Sequence, residues 1–259
     1  MATQNELFAS RIFLQAALPL TKVILQERPD MAKKYQGVSG TAQFVAKDEG
    51  GDVGGFMRFT DGDLEVKPGI LEDPDITFSF PSVGKMNAFF AGKPALPKIS
   101  GIFSNFGLFT KVLKLMLALK IIGRTTPPKK QEDKELMVRM MLYLLPLGIS
   151  QLNKAGHPEI SEFTKKSPDR VFAWSVNDTD IASYLRVKAG KSKAGRGRYT
   201  RSKPFVEMKF DSVDGALGIL LQTTDMMEAS LNHVLVIEGS PEYGKEIGSY
   251  MNMVGDLAS

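Results

Sequence analysis

The chain repeats its own pattern. Phe13-Leu14, Leu18-Pro19-Leu20 and Pro29-Asp30-Met31 return in order as Met140-Met141, Leu145-Pro146-Leu147 and Pro158-Glu159-Ile160, the prolines displaced by 127 and 129 residues. Met57-Arg58-Phe59 returns as Leu185-Arg186-Val187, 128 residues on. Pro74–Phe78 returns as Pro204–Met208 and Ser82-Val83 as Ser212-Val213, both 130 on. Ile99-Ser100-Gly101 returns as Ile237-Glu238-Gly239 after 138, so the second copy carries about eight further residues near Thr223–Ala229. Single matches this short arise by chance, but an ordered series at near-constant spacing marks two copies of one unit. The expected division is residues 1–124, a linker at 125–133 and residues 134–259. The linker is polar, and Pro127-Pro128 forbids a continuing helix there.

Each copy has the same coarse reading. A long apolar helix opens it, near 4–26 and 133–154. Pro29 and Pro158 then stand where a short second helix would begin. The β-branched and alternating stretches Thr41–Ala46, Val53–Thr60, Leu64–Lys67, Ile76–Phe80 and Phe205–Phe210 predict strands. Asp61-Gly62 signals a hairpin turn, and Ala189-Gly190 holds the same place in the second copy. Ser82 and Ser212 are N-caps for a middle helix, and a last strand ends at Gly101 and Gly239. A closing helix follows, near 106–122 and 241–255, with Ser240, Pro241 and Glu242 marking the second start. The fold class expected is α+β: two tandem repeats, each a mainly antiparallel five-stranded sheet covered by helices.

Composition narrows the chemistry. Hydrophobic residues make up 43% and charged residues 24% of 259, enough to bury real cores. There is no cysteine, which removes disulfides, thiolate metal sites and a cysteine nucleophile. A net charge of +4 is too small to argue for nucleic acid. No segment is expected to cross a membrane, and Ile12–Leu20 lacks the basic flank of a signal peptide, so a cytoplasmic protein is the expectation. Asn177-Asp178-Thr179 matches a glycosylation acceptor, a chance match in such a protein. No nucleophile elbow, zinc-helix motif or phosphate loop occurs; Gly195-Arg196-Gly197 is discounted because a strand, not a helix, follows it. His157 reads as a loop residue, His233 as a strand-edge residue, and Asp73 and Asp75 as turn residues around Pro74. No metal or cofactor is expected.

The order helix, strands, helix, strand, helix resembles the sterol carrier protein two domain. The carrying residues are Phe56–Gly62, Pro74–Ser79, Met86–Lys93 and Ile99-Ser100-Gly101, then Phe205–Met208 and His233–Gly244. The second copy departs from the pattern at Leu220–Thr224, where the first reads Phe90-Ala91-Gly92-Lys93. The resemblance implies an apolar tunnel between sheet and helices for a sterol, fatty acid or fatty acyl-CoA, with no cofactor and no covalent catalysis. It leaves open two tunnels, or one tunnel and one filled copy.

Candidate wall residues in the first copy are Phe89, Phe90, Phe103, Leu108, Val112, Leu115 and Met116, which lie on the middle and closing helices or the entry to the latter. The closing helix is apolar over a wider arc than one packed face requires, as a cavity-lining or a fully buried helix would be. Met is frequent, 13 in the chain, and suits either an irregular apolar ligand or core filling. The second hairpin is basic, and Arg196, Arg198 and Arg201 are candidate contacts to an anionic membrane surface or an acyl-CoA phosphate. The first hairpin is acidic at the matching positions, so charged, solvated hairpins and mutual complementarity are further readings. Three functions remain: a carrier of a hydrophobic ligand; a structural or interaction module with filled cores, accessory to a lipid- or acyl-CoA-metabolising enzyme; and an enzyme of the isomerase or hydrolase kind with no visible motif.

Overall fold

In a computed structural model, which describes residues 1–259, the chain divides into two units, Met1–Gly123 with Leu257–Ser259 and Arg124–Asp256. The first opens with a helical run, Gln4–Glu27. Thr3 and Glu6 start it with reciprocal side-chain-to-backbone bonds, which satisfy donors that a helix end leaves unpaired. Around Pro19 the run departs from α geometry, widening to a π segment at Phe13–Ala17 and tightening to a 3-10 turn at Leu18–Leu20. Proline has no N–H to give to the carbonyl four residues back, and the backbone adjusts around that gap. The opening helix of the second unit, Gln131–Lys154, carries Pro146 without such a change. It begins inside the expected linker, so residues 131–133 are helical.

Both opening helices run 24 residues and are long and apolar enough to span a bilayer, which corrects the expectation that no segment is. Of their most apolar windows, 72% and 78% is buried inside the protein, the setting of a core helix.

The first sheet consists of β1 (Gly40–Ala46), β2 (Val53–Thr60), β3 (Asp63–Pro68), β4 (Ile76–Phe80) and β5 (Lys98–Ser100), in the order β3-β2-β1-β4-β5. The second consists of β6 (Arg170–Val176), β7 (Ala182–Lys188), β8 (Lys191–Arg196), β9 (Val206–Phe210) and β10 (Leu235–Gly239), in the order β10-β9-β6-β7-β8. The sheets are mixed rather than antiparallel: β4 runs parallel to β1, and β9 to β6. Tight turns dictate an antiparallel sense only for β1-β2-β3 and β6-β7-β8. The strand that follows returns by a crossover, whose direction leaves no mark on side-chain alternation.

Short helices begin at Pro29 and Pro158, as expected (Pro29–Ala32 and Pro158–Lys166). The middle helices, Val83–Phe90 and Val213–Leu220, are capped by Ser82 and Ser212, whose hydroxyls accept from the backbone N–H of Lys85 and Gly215. The closing helices are Phe106–Leu119 and Pro241–Leu257. An additional helix, Met226–Leu231, occupies the extra residues of the second unit.

Two backbone positions recur. Asp61-Gly62 and Ala189-Gly190 have φ of 50° and 89°, and of 45° and 85°, the left-handed pair of a type I′ hairpin turn. Gly101 and Gly239 have φ of 84° and 103°, and a Cβ there would overlap the carbonyl oxygens of Asp75 and Phe205. Each thus needs glycine for both conformation and space. Gly101→Ala and Gly239→Ala are each expected to destabilise the unit that carries them by about 1–3 kcal/mol. Ala189→Gly relieves a left-handed alanine and should stabilise the second unit by about 0.5–1 kcal/mol. Scanning calorimetry of the three variants, resolved into two transitions, reads all of these shifts.

Candidate functional site

Alternation along a strand puts Phe44 of β1 and Phe78 and Phe80 of β4 on the face that the helices cover. Phe44 and Phe78 are register partners, with ring centroids 4.8 Å apart. The middle helix brings Phe89 and Phe90 onto them: Phe90 lies 5.2 Å from Phe44 and Phe89 lies 5.3 Å from Phe80. Phe90 also stacks on Phe13 of the opening helix at 5.6 Å. From the other side the closing helix contributes Phe109, 6.2 Å from Phe78, which meets Phe106 at 6.4 Å. Eight rings therefore connect the sheet with three helices. Phe44, Phe78 and Phe80 are buried, whereas Phe89, Phe90 and Phe109 are only half-buried. The outcome is a continuous aromatic cluster between the sheet and the middle and closing helices, with Phe44 and Phe78 at its buried base and Phe89, Phe90 and Phe109 partly reaching solvent.

Of the expected wall residues, Phe89 and Phe90 are half-buried within this cluster. Leu108, Val112, Leu115 and Met116 form the buried side of the closing helix and belong to the core. Phe103 is no wall residue: the loop after Gly101 carries it outward, and it is fully exposed. Sequence reading missed Phe13, Phe44, Phe78, Phe80 and Phe109. The alternation Phe78-Ser79-Phe80 was the available signal for the two strand residues. It also missed an outer stripe on the closing helix, Phe106, Leu113 and Leu117, at 63%, 39% and 56% exposure. Their spacing of seven and four residues puts them on one face, away from Leu108, Val112, Leu115 and Leu119.

The second unit fills the corresponding space differently. Trp174 and Met208 are register partners where the first has Phe44 and Phe78, and Ile219 and Leu220 end the middle helix. The helix Met226–Leu231, capped by Asp225 accepting from the N–H groups of Met227 and Glu228, packs beside the middle helix and β10. Met226 reaches the closing helix at Gly248. Trp174 is 1% exposed, and its indole N–H has no acceptor.

The charged hairpins are paired in part, the basic one through carboxylates outside it. Arg186 donates to Asp169 at 2.7 and 2.5 Å, with Lys188 3.3 Å from the same carboxylate. The hydrogen bond from Arg186 chiefly draws the Asp169 pKa down to about 2. Arg196 turns over the Tyr143 ring at 5.2 Å, and burial pulls its pKa below the usual arginine value. Arg198 reaches the Thr179 carbonyl at 3.5 Å, and Arg201 is exposed beside Phe205. The three arginines expected on one anionic contact thus have three different settings. In the acidic hairpin, Asp52 pairs with Lys47 at 2.5 Å, and Glu65 with Lys67 at 2.6 Å and Arg58 at 3.7 Å.

Asp75 accepts from the N–H and hydroxyl of Thr41 at 2.7 and 2.9 Å, a turn role. His157 stands at the start of the Pro158 helix, where burial lowers its pKa. His233 is not in a strand: it is an exposed turn residue with φ of 60°, two positions before β10. No group of three His, Asp or Glu side chains is placed to hold a metal.

No protein-family model and no curated protein sequence matches the chain. Among solved structures it is similar to a double mutant of the sec-alkyl sulfatase PisA1, at 14% identity and TM-score 0.27, over 58% of this chain and 28% of that one. It is similar to the stereoselective inverting sec-alkylsulfatase Pisa1 from Pseudomonas sp. at 12% identity and TM-score 0.27, over 65% and 31%. The chain spans less than a third of either enzyme's length, and a likeness of this size does not extend to a shared activity.

The buried base of the aromatic cluster and the exposed loop after Gly101 should separate in stability. Phe44→Ala removes a ring that touches three others and is expected to cost about 3–5 kcal/mol. Phe103→Ser on the exposed loop should cost no more than about 0.5 kcal/mol. Thermal or urea unfolding of the two variants checks the contrast.

Proposed function

We propose that the chain is a tandem pair of sterol-carrier-like domains, and that the first unit binds and carries a hydrophobic ligand, a sterol, fatty acid or fatty acyl-CoA, without covalent chemistry. The duplication is supported by the shared strand order, the shared parallel pair and the two glycines overlapped by equivalent carbonyls. The observation that carries the ligand reading is the cluster of half-buried phenylalanines in the first unit, Phe89, Phe90 and Phe109, between which an apolar groove would open for the ligand. Each buried methylene contributes about 0.8 kcal/mol, so a long acyl chain laid against Phe89, Phe90 and Phe109 reaches micromolar affinity after ordering costs. In the second unit the Met226–Leu231 helix covers the corresponding region, which favours a module with a filled core.

The ligand's source is an anionic bilayer. Residues 76–123 contain six lysines and no acidic residue, and the Phe106-Leu113-Leu117 stripe is flanked by Lys114 and Lys120. An exposed apolar stripe between lysines suits the interface of an anionic membrane. The contact of Phe106 with Phe109 puts that stripe beside the groove.

Titration of the full chain with cis-parinaric acid, followed by fluorescence, tests the carrier. Binding should be micromolar, lost in Phe109→Asp and in Phe90→Asp, and retained in Leu220→Asp of the second unit. No binding by the wild type, or equal loss from Leu220→Asp, would overturn it; circular dichroism confirms that each variant is folded. Flotation with phosphatidylcholine vesicles, with and without phosphatidylglycerol, tests the source. Leu113→Ser with Leu117→Ser should abolish flotation that depends on the anionic lipid.

A further inference from the structure

The second unit has a cleft of about 700 Å³ at the end of its sheet, where β6 and β9 begin and β10 finishes. Arg170, Arg186, Arg201 and Lys203 line it, with Asp169 as the only acid among its walls. Asp169 is already committed to Arg186 and Lys188. Glu238, just outside, is held by Lys209 at 2.5 Å and lies 4.0 Å from Lys203.

Arg170 stands apart from these pairs. Its guanidinium lies 4.1 Å over the Phe205 ring and 4.3 Å over the Tyr243 ring, which meet edge to face at 5.2 Å. No carboxylate pairs with it, and its guanidinium makes no hydrogen bond within the protein. Contact with two ring faces holds a planar cation that would otherwise sample many rotamers, and no protein acceptor takes its N–H groups. Ordering is thereby done before a ligand arrives, which is where flexible surface arginines lose affinity. Arg201, on the connection between β8 and β9, is likewise without a carboxylate partner.

The first unit lacks this arrangement. Its strand positions equivalent to Arg170 and Phe205, two before Ala42 and one before Ile76, are Gly40 and Asp75. Asp75 there is engaged with Thr41.

We propose that the cleft of the second unit binds a phosphate-type oxyanion, with Arg170 as its fixed donor and Arg201 and Lys203 contributing from the crossover connection. Planar guanidinium groups meet such an anion with two parallel N–H donors. The cleft has room for more than one phosphate group. The inference does not depend on the groove of the first unit.

Two probes separate the sources of such a group. Isothermal titration of the full chain with inorganic pyrophosphate at low ionic strength reads a soluble phosphate. Flotation with phosphatidylcholine vesicles, with and without phosphatidic acid, reads a lipid headgroup, in the Leu113→Ser, Leu117→Ser background so that the apolar stripe does not contribute. Arg170→Gln and Arg201→Gln should each weaken the positive probe about tenfold or more. Lys154→Gln, the same charge change on an exposed residue outside the cleft, should leave it unchanged. Pyrophosphate binding alone supports a soluble ligand, and flotation alone supports a headgroup. If neither probe binds, or if Lys154→Gln weakens binding as much as Arg201→Gln, the inference is overturned. Arg201 is exposed, so its variant keeps the test valid should Arg170→Gln disturb the Phe205 and Tyr243 rings.

Discussion

Beside β1 runs β4, parallel to it, and β9 lies beside β6 in the same sense. Parallel neighbours cannot be joined by a tight turn, so the chain must travel from the edge strand back across the sheet. In the first unit residues 69–75 make that crossing over the face opposite the phenylalanines. Gln43 anchors it there, accepting from the N–H of Leu71 at 2.8 Å and donating to the Thr77 hydroxyl at 3.1 Å. The other face is thereby left to the helices. β5 then adds antiparallel to β4, and Gly101 turns the chain tightly past the Asp75 carbonyl into the closing helix. Both the aromatic cluster and its counterpart in the second unit follow from this route, because it sets the middle and closing helices on one face of the same two strands.

The punctuation of this route is legible in the sequence. Pro29 and Pro158, Ser82 and Ser212, Asp61-Gly62 and Ala189-Gly190 each act through local backbone chemistry, so a short stretch of chain suffices to read them. The sense of β4 is not local: it depends on where a crossover returns, and alternation looks the same in either direction. The aromatic cluster was only partly readable for a related reason. Phe89 and Phe90 sit at the end of a capped helix whose position is well signed. Their partners Phe44 and Phe78 meet only through strand register across an interval of 34 residues. Phe103 misled because a loop after a left-handed glycine can carry an apolar side chain either way, and here it carries it out.

The closing helices make clear how little of a unit's outer chemistry its fold dictates. Both helices bury one side against the sheet. On the outer side the second presents Glu242, Lys245, Ser249 and Asn252, the ordinary polar face of a surface helix, whereas the first presents Phe106, Leu113 and Leu117. Water penalises the latter, and nothing in the packing of the first sheet requires it. A contiguous apolar stripe of that kind is costly for a soluble surface unless something covers it in use.

The interiors differ in the same spirit. Phe44 meets three other rings, each apolar to its edge, and the stranded polar atom of this unit is Asn87 Oδ1 on the middle helix. Trp174 takes the larger ring into the second core at the expense of an indole N–H without an acceptor, a burden of about 1–3 kcal/mol. Met208 pairs with Trp174 in register, and the added Met226–Leu231 helix packs beside the middle helix, where the first unit has only the rings of Phe89 and Phe90. At the end of the sheet the exchange runs the other way: Gly40 and Asp75 close that end of the first unit with short, self-satisfied groups. Arg170 and Phe205 open the second with an unpaired cation braced on aromatic faces. The two units thus spend their distinctive residues differently, the first on half-buried phenylalanines and an outer apolar stripe, the second on a cation held at the end of its sheet.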